Sequence, residues 1–182
     1  KCGDDCVAIK SRRTARMTFS QHTYRRLVCW NDLHGNVVEI GHTSQAHECS
    51  HICFEDIDVV HAESPYPQKF VISVFLVDHC LVRNISYRGF RVEGYHTSGE
   101  ISFQITESRY STDGKRGRIE NVVIEDYDQL APISNSVIQG CGPEHRVENV
   151  RIKNMRIGSE PVHSLEAMRA TVAFAENIVI DV

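Results

Sequence analysis

Two adjacent carboxylates open an apolar run at Gly3-Asp4-Asp5-Cys6-Val7-Ala8-Ile9-Lys10. Carboxyl groups held close together repel. One pKa rises, and a proton donor becomes available near neutral pH. That is the equipment of acid/base hydrolysis, although a solvated turn entering a strand would use the same residues. A third carboxylate belongs with this pair by strand alternation. With Val38 and Ile40 turned into a core, Glu39 points outward, one repeat beyond Ala8 and so near the Asp4-Asp5 turn. Two carboxyl groups several Å apart are what cleavage of a glycosidic bond requires, the wider separation leaving room for a water in inverting enzymes. The plainer reading of Glu39 is an exposed side chain on a wall.

Other residues around this group could serve a substrate. Trp30, the one tryptophan, could stack on a sugar or fill a loop core. His42, His47 and His61 fall close together in sequence and suit a proton shuttle or a hydroxyl contact, or a purely structural role. Lys10, Arg12, Arg13 and Arg16 could attract an anionic polysaccharide or form a solvated loop. Arg25 and Arg26 carry the same two readings.

The elements that must position these residues are announced by a short phrase of polar, apolar, variable, apolar residues. It is read six times: Arg16-Met17-Thr18-Phe19, His51-Ile52-Cys53-Phe54, Asn84-Ile85-Ser86-Tyr87, Asn121-Val122-Val123-Ile124, Asn149-Val150-Arg151-Ile152 and Asn177-Ile178-Val179-Ile180. The starts are separated by 35, 33, 37, 28 and 28 residues, the spacing of a repeat array. Alternation with period two marks a strand with one buried face. Second strands lie between the copies, at Asn36–Ile40, Phe70–Val77, Ile101–Ile105 and Asn135–Ile138. The repeat is too short for a propeller blade and suits one coil of a solenoid. The expectation is a right-handed parallel β-helix with like strands stacked about 4.8 Å apart. Asn at the head of a strand fits a turn residue that tolerates left-handed angles.

The 182 residues suffice for one β-helix domain spanning 1–182. The chain enters directly into a strand without an initiating Met, which reads as the C-terminal part of a longer protein. A net charge of −4 with interspersed signs lacks the basic stripe of a nucleic-acid protein, and no apolar run is long enough to cross a bilayer as a helix. Seven cysteines with no CxxC pair fit neither a disulfide framework nor a standard zinc site, and most read as core residues. Cys49 and Cys53 with His47 and His51 have the letters of a metal cluster, but alternation sets Cys53 and His51 on one face and their neighbours on the other. Neither metal nor cofactor is expected.

Gly3-Asp4-Asp5-Cys6-Val7-Ala8-Ile9-Lys10 resembles the second catalytic motif of the polygalacturonase family, glycoside hydrolase family 28. Trp30-Asn31-Asp32, Gly35, Glu39-Ile40-Gly41 and Ile52 through Val59 are similar to a bacterial branch of polygalacturonase-like proteins, as are Ser108-Arg109-Tyr110-Ser111 and Gly117-Arg118-Ile119. The resemblance implies a pectate-lyase-like right-handed β-helix that cleaves glycosidic bonds with inversion outside the cell or in the periplasm. It implies that one of Asp4 and Asp5 is the general acid while the other helps activate water. The family's Gly-His-Gly motif falls at Gly35-Asn36-Val37, so Asn36 stands where a histidine is expected, with His34 and His42 nearby but out of register. The family's Arg-Ile-Lys substrate clamp should come near Lys69, where no such tripeptide occurs. Arg151-Ile152-Lys153 has the letters in another coil. These departures weaken the expectation of galacturonate as substrate.

Together these readings predict a glycosidase acting on a polysaccharide or oligosaccharide. Asp4, Asp5 and Glu39 are the candidate catalytic residues, and Trp30, His34, Asn36, His42 and Lys69 the candidate substrate contacts. Two other functions suit the same architecture. One is a non-catalytic carbohydrate-binding β-helix; the other is a polysaccharide lyase.

Overall fold

The computed structural model describes residues 1–11, 17–64, 69–93, 99–131 and 135–182. No helix occurs among them. Two parallel sheets stack coil upon coil. One is built from the short strands β1 (Val7–Ile9), β3 (Val38–His42), β5 (Phe70–Leu76), β7 (Gly99–Ile105), β9 (Ser136–Gln139) and β12 (Ala170–Ala173), in that order. The other holds the long strands β2 (Thr18–Asp32), β4 (Glu48–Glu63), β6 (Leu81–Val92), β8 (Arg118–Gln129) and β10 (Val147–Ile157). β13 (Ala175–Asp181) continues that stack in parallel with β10, and the short β11 (Glu160–Pro161) folds back antiparallel onto it. This is the parallel β-helix that the repeat predicts.

The expected second strands are β3, β5, β7 and β9. The first copy of the phrase is corrected. His22 pairs with Ile52 and Tyr24 with Phe54, so the segment that stacks is Gln21-His22-Thr23-Tyr24 and not Arg16 through Phe19. The reason is conformational. Gln21, His51, Asn84, Asn121, Asn149 and Asn177 head the stacked segments and all have positive φ, between 52° and 64°. The left-handed angle, which glycine and asparagine accept at least cost, defines the register more strictly than the apolar pattern does. Asn177 donates to Asn149 at 2.7 Å, Asn149 to Asn121 at 2.9 Å and Asn121 to Asn84 at 3.2 Å, forming a ladder along the solenoid.

A second left-handed row, Arg26, Asp56, Gly89, Asp126 and Asn154, bends the same long strands again. Each long strand therefore wraps around the core instead of lying flat. His51 illustrates the consequence: its left-handed angle interrupts alternation, so Cys49 and Ile52 both point inward and are buried. His51 and Cys53 share the outward face while Ile52 and Phe54 turn inward, as alternation predicts, and Cys49 alone departs from it across the bend. Of the seven cysteines, Cys29, Cys49 and Cys80 are buried in the core and Cys6 and Cys141 are partly buried against it.

Both sheets send side chains into one core. Ile9, Ile40, Val74, Phe103 and Ile138 form a row from the short strands. Opposite them, Tyr24, Phe54 and Tyr87 stack ring on ring at 5.1 and 5.2 Å. Full burial of such side chains contributes about 1.5–3 kcal/mol each. The core holds the short strands rigid, and their outward residues form a fixed wall.

Candidate active site

The register confirms the juxtaposition on which the site depends. Val7 pairs with Val38, Ala8 with Glu39 and Ile9 with Ile40. On the outer face Glu39 is followed by Ser73 on β5 and Ser102 on β7. Glu39 nevertheless differs from an exposed wall residue: its side chain is only 4% accessible. It lines a cavity of about 130 Å³ together with Asn36, His42, Lys69, Phe70, Ser73, Phe75 and Ser102. Neighbouring segments cover the sheet face here, something that strand alternation alone does not reveal.

The Asp4-Asp5 turn docks against this cavity through backbone geometry. Cys6 N–H donates to the Asn36 carbonyl at 3.3 Å, and Asn31 Nδ2 donates to the carbonyls of Asp4 at 2.7 Å and His34 at 2.8 Å. Gly35 has φ +78°, and a Cβ placed there would stand 2.6 Å from Asp4 Oδ1 and 2.7 Å from Asp4 C. Only glycine admits so close an approach with that angle.

Asp5 and Glu39 converge on two partners. Lys10 Nζ lies 3.0 Å from Asp5 Oδ2, to which it donates, and 3.7 Å from Glu39 Oε1. Asn36 bridges them on the other side. Its backbone N–H donates to Asp5 Oδ1 at 2.7 Å, and its side-chain amide donates to Glu39 Oε2. Its amide oxygen accepts from Phe70 N–H at 2.8 Å, which fixes the side-chain orientation. His42 Nδ1 stands 3.9 Å from Glu39 Oε1. Asp4 is exposed, and its Oδ1 accepts the Asp5 N–H at 2.9 Å.

Electrostatics sets Glu39 apart. Burial and, after it, the Asp5 carboxylate push its pKa above the ordinary value of 4.5, against the opposing charges of Lys10 and Lys69 and the Asn36 hydrogen bond. Burial pulls on Lys10 in the direction of deprotonation. The Asp5 hydrogen bond and the charges of Glu39, Asp5 and Asp4 outweigh it, leaving the Lys10 pKa raised. The site therefore contains a carboxyl group with a strengthened hold on its proton beside a charge-paired carboxylate. Such an arrangement can give and take protons at one place.

The structure thus brings together Asp5, Glu39, Asn36, His42 and Lys69, with Asp4 adjoining. Trp30 and His34 do not line the cavity. Trp30 packs against His61, ring centroids 4.9 Å apart, and His34 contributes its backbone carbonyl to the turn. The expected grouping of His42, His47 and His61 is corrected. His42 lines the cavity, His61 meets Trp30, and His47 lines a separate hollow with His79 and His145. Successive bends carry residues close in sequence to different sides of the coil. Arg12, Arg13 and Arg16 lie outside the described residues. Arg151 and Lys153 belong to β10, where Arg151 pairs with Asp181 at 2.5 Å and Lys153 with Glu125 at 2.6 Å.

Sequence reasoning missed Ser73, Ser102, Phe70 and Phe75, although register from Glu39 through the second strands would have found both serines. It also left Lys10 among the surface cations. Family models, curated proteins and solved structures were each compared with the chain, and none matches it.

Proposed function

We propose that this chain carries the acid/base centre of a glycoside hydrolase acting on a polysaccharide or oligosaccharide. The observation that supports it best is the meeting of Asp5 and Glu39 at one ammonium group, with Lys10 Nζ 3.0 and 3.7 Å from their oxygens. Paired carboxylates with separated proton affinities are the working parts of glycoside hydrolysis.

In this reading Glu39 is the general acid. Its raised pKa keeps the proton available until the glycosidic oxygen takes it as the bond to the anomeric carbon breaks. Asp4 and Asp5 supply the base side: Lys10 and Asn36 hold Asp5 in place, and exposed Asp4 meets the water that attacks the anomeric carbon. The assignment moves the acid from the aspartate pair to Glu39, because Glu39 is the buried carboxyl. Asn36 takes a positioning role, and Lys69 with Ser73 and Ser102 contacts sugar oxygens.

The test is incubation of the chain with a panel of plant and bacterial polysaccharides. New reducing ends are measured, and proton NMR identifies the first anomer formed. The reading expects reducing ends and an inverted anomer. It is overturned by glycan binding without bond cleavage, as a binding solenoid would give, or by a calcium-dependent unsaturated product absorbing in the ultraviolet, as a lyase would give.

A further inference from the structure

Between β7 and β8 the chain makes a long excursion that returns to the cavity edge. It is anchored by Asp78, a wholly buried carboxylate. Asp78 accepts from Thr112 N–H at 2.7 Å, Ser111 Oγ at 2.9 Å, Thr112 Oγ1 at 3.1 Å and Asp113 N–H at 3.2 Å. Arg116 fastens the same excursion by donating to the Val77 carbonyl at 2.9 Å and to Ser111 Oγ at 3.2 Å. Charge-assisted bonds of this kind are the stronger class of hydrogen bond. They fix the backbone beside Tyr110.

Tyr110 stands against His42, ring centroids 5.2 Å apart and planes at 82°. His42 in turn packs on Phe75 at 4.9 Å and approaches Glu39. The three rings touch in succession, tilted and edge-on, between the neighbourhood of the carboxyl group and the surface. Tyr110 remains 51% exposed at its outer end. The Arg109 guanidinium lies over one face of the Tyr110 ring, 4.9 Å from its centroid, and donates to the phenol oxygen at 2.9 Å, which stiffens the ring.

We propose that Tyr110 is a stacking platform for a pyranose ring, one ring further along the substrate than the sugar at Glu39, with Arg109 donating to that ring's oxygens. The aromatic face that Arg109 does not cover can pack against the C–H face of a sugar, and the neighbouring guanidinium supplies several donors in a fixed plane. The proposal rests on the glycoside hydrolase reading for its substrate. Trp30 has no such place, since its ring meets His61 and lies off the cavity.

The experiment uses Glu39→Gln chain, to suppress turnover, and oligosaccharides of galactan and of polygalacturonate as neutral and anionic probes in titration calorimetry. Binding of at least one probe is expected, weakened about tenfold by Tyr110→Ala, unchanged by Tyr110→Phe and unchanged by Trp30→Phe. A second variant keeps the test independent of any folding defect in Tyr110→Ala. Tyr110→Trp in a Trp30→Phe background should shift its fluorescence when the probe is added. Binding of neither probe, equal binding by Tyr110→Ala, or an unchanged Trp emission overturns the proposal. The two readings fail separately. Tyr110-dependent binding with no hydrolysis by the wild type keeps the platform and removes the enzyme. Hydrolysis with kcat and KM unchanged by Tyr110→Ala does the reverse.

Discussion

Asn36 is joined to Glu39 by its side-chain amide, which donates to Oε2 while the amide oxygen is held by the Phe70 N–H at 2.8 Å. The orientation is therefore imposed from the neighbouring coil. Asn36→Asp replaces the donor with a second negative charge against a buried carboxyl, and kcat should fall at least about tenfold. Asn36→Ala leaves the buried Phe70 N–H without its acceptor, which should cost about 1–3 kcal/mol in stability. Steady-state kinetics and urea denaturation check the two effects separately.

Glu39 also predicts a pH dependence with a definite sign. Its pKa in the folded chain lies above 4.5 because of burial and the nearby Asp5, so the folded state binds this proton more tightly than the unfolded state. The resulting stabilisation is fully present below the unfolded pKa and is lost as pH rises through the folded one. Glu39→Gln lacks this dependence. Its Tm relative to wild type should therefore rise between about pH 4 and pH 7. The alkaline limb of activity should lie above the ordinary glutamate range. Parallel melting curves for the two proteins across that span would contradict the assignment.

Gly35 controls the approach of the aspartate turn. An alanine there meets left-handed strain of about 1–2 kcal/mol as well as contact with Asp4. Gly35→Ala should displace Asp4 and Asp5 and remove most activity while the far coils stay folded. Activity together with amide hydrogen exchange over β8 and β10 would show both outcomes.

The asparagine ladder bears on stability alone. Asn121→Ala removes bonds to Asn84 and Asn149 at a residue with φ 55°, and a loss of about 1–2 kcal/mol is expected in urea denaturation. Asn121→Gly keeps the angle and should lose less. Equal losses would mean that the hydrogen bonds, and not the backbone angle, set the cost.

The fold was legible because every coil repeats a strand whose apolar positions pair in register, as Ile52, Ile85, Val122 and Val150 do. The first coil was misread because Gln21, not asparagine, occupies its left-handed position. At the site, register brought Glu39 to Ala8 from sequence alone. Its burial was hidden, since it depends on loops and on Asn36 closing over the wall. Lys10 looked like one surface cation among several until its strand direction placed it between two carboxylates. Tyr110 lies between β7 and β8 and carries no periodic signal. Its position depends on Asp78, a carboxylate 32 residues earlier in the chain, and only the folded coil brings them together.

The central claim is that Asp5 and Glu39 act as one acid/base unit. The most direct measurement is reducing-end release from a polysaccharide cleaved by the wild type, repeated with Asp5→Asn and Glu39→Gln after their melting curves show folded protein. Each substitution is predicted to lower kcat by about a hundredfold or more, and the double variant by little more than either alone. Wild-type turnover in both single variants would contradict the claim.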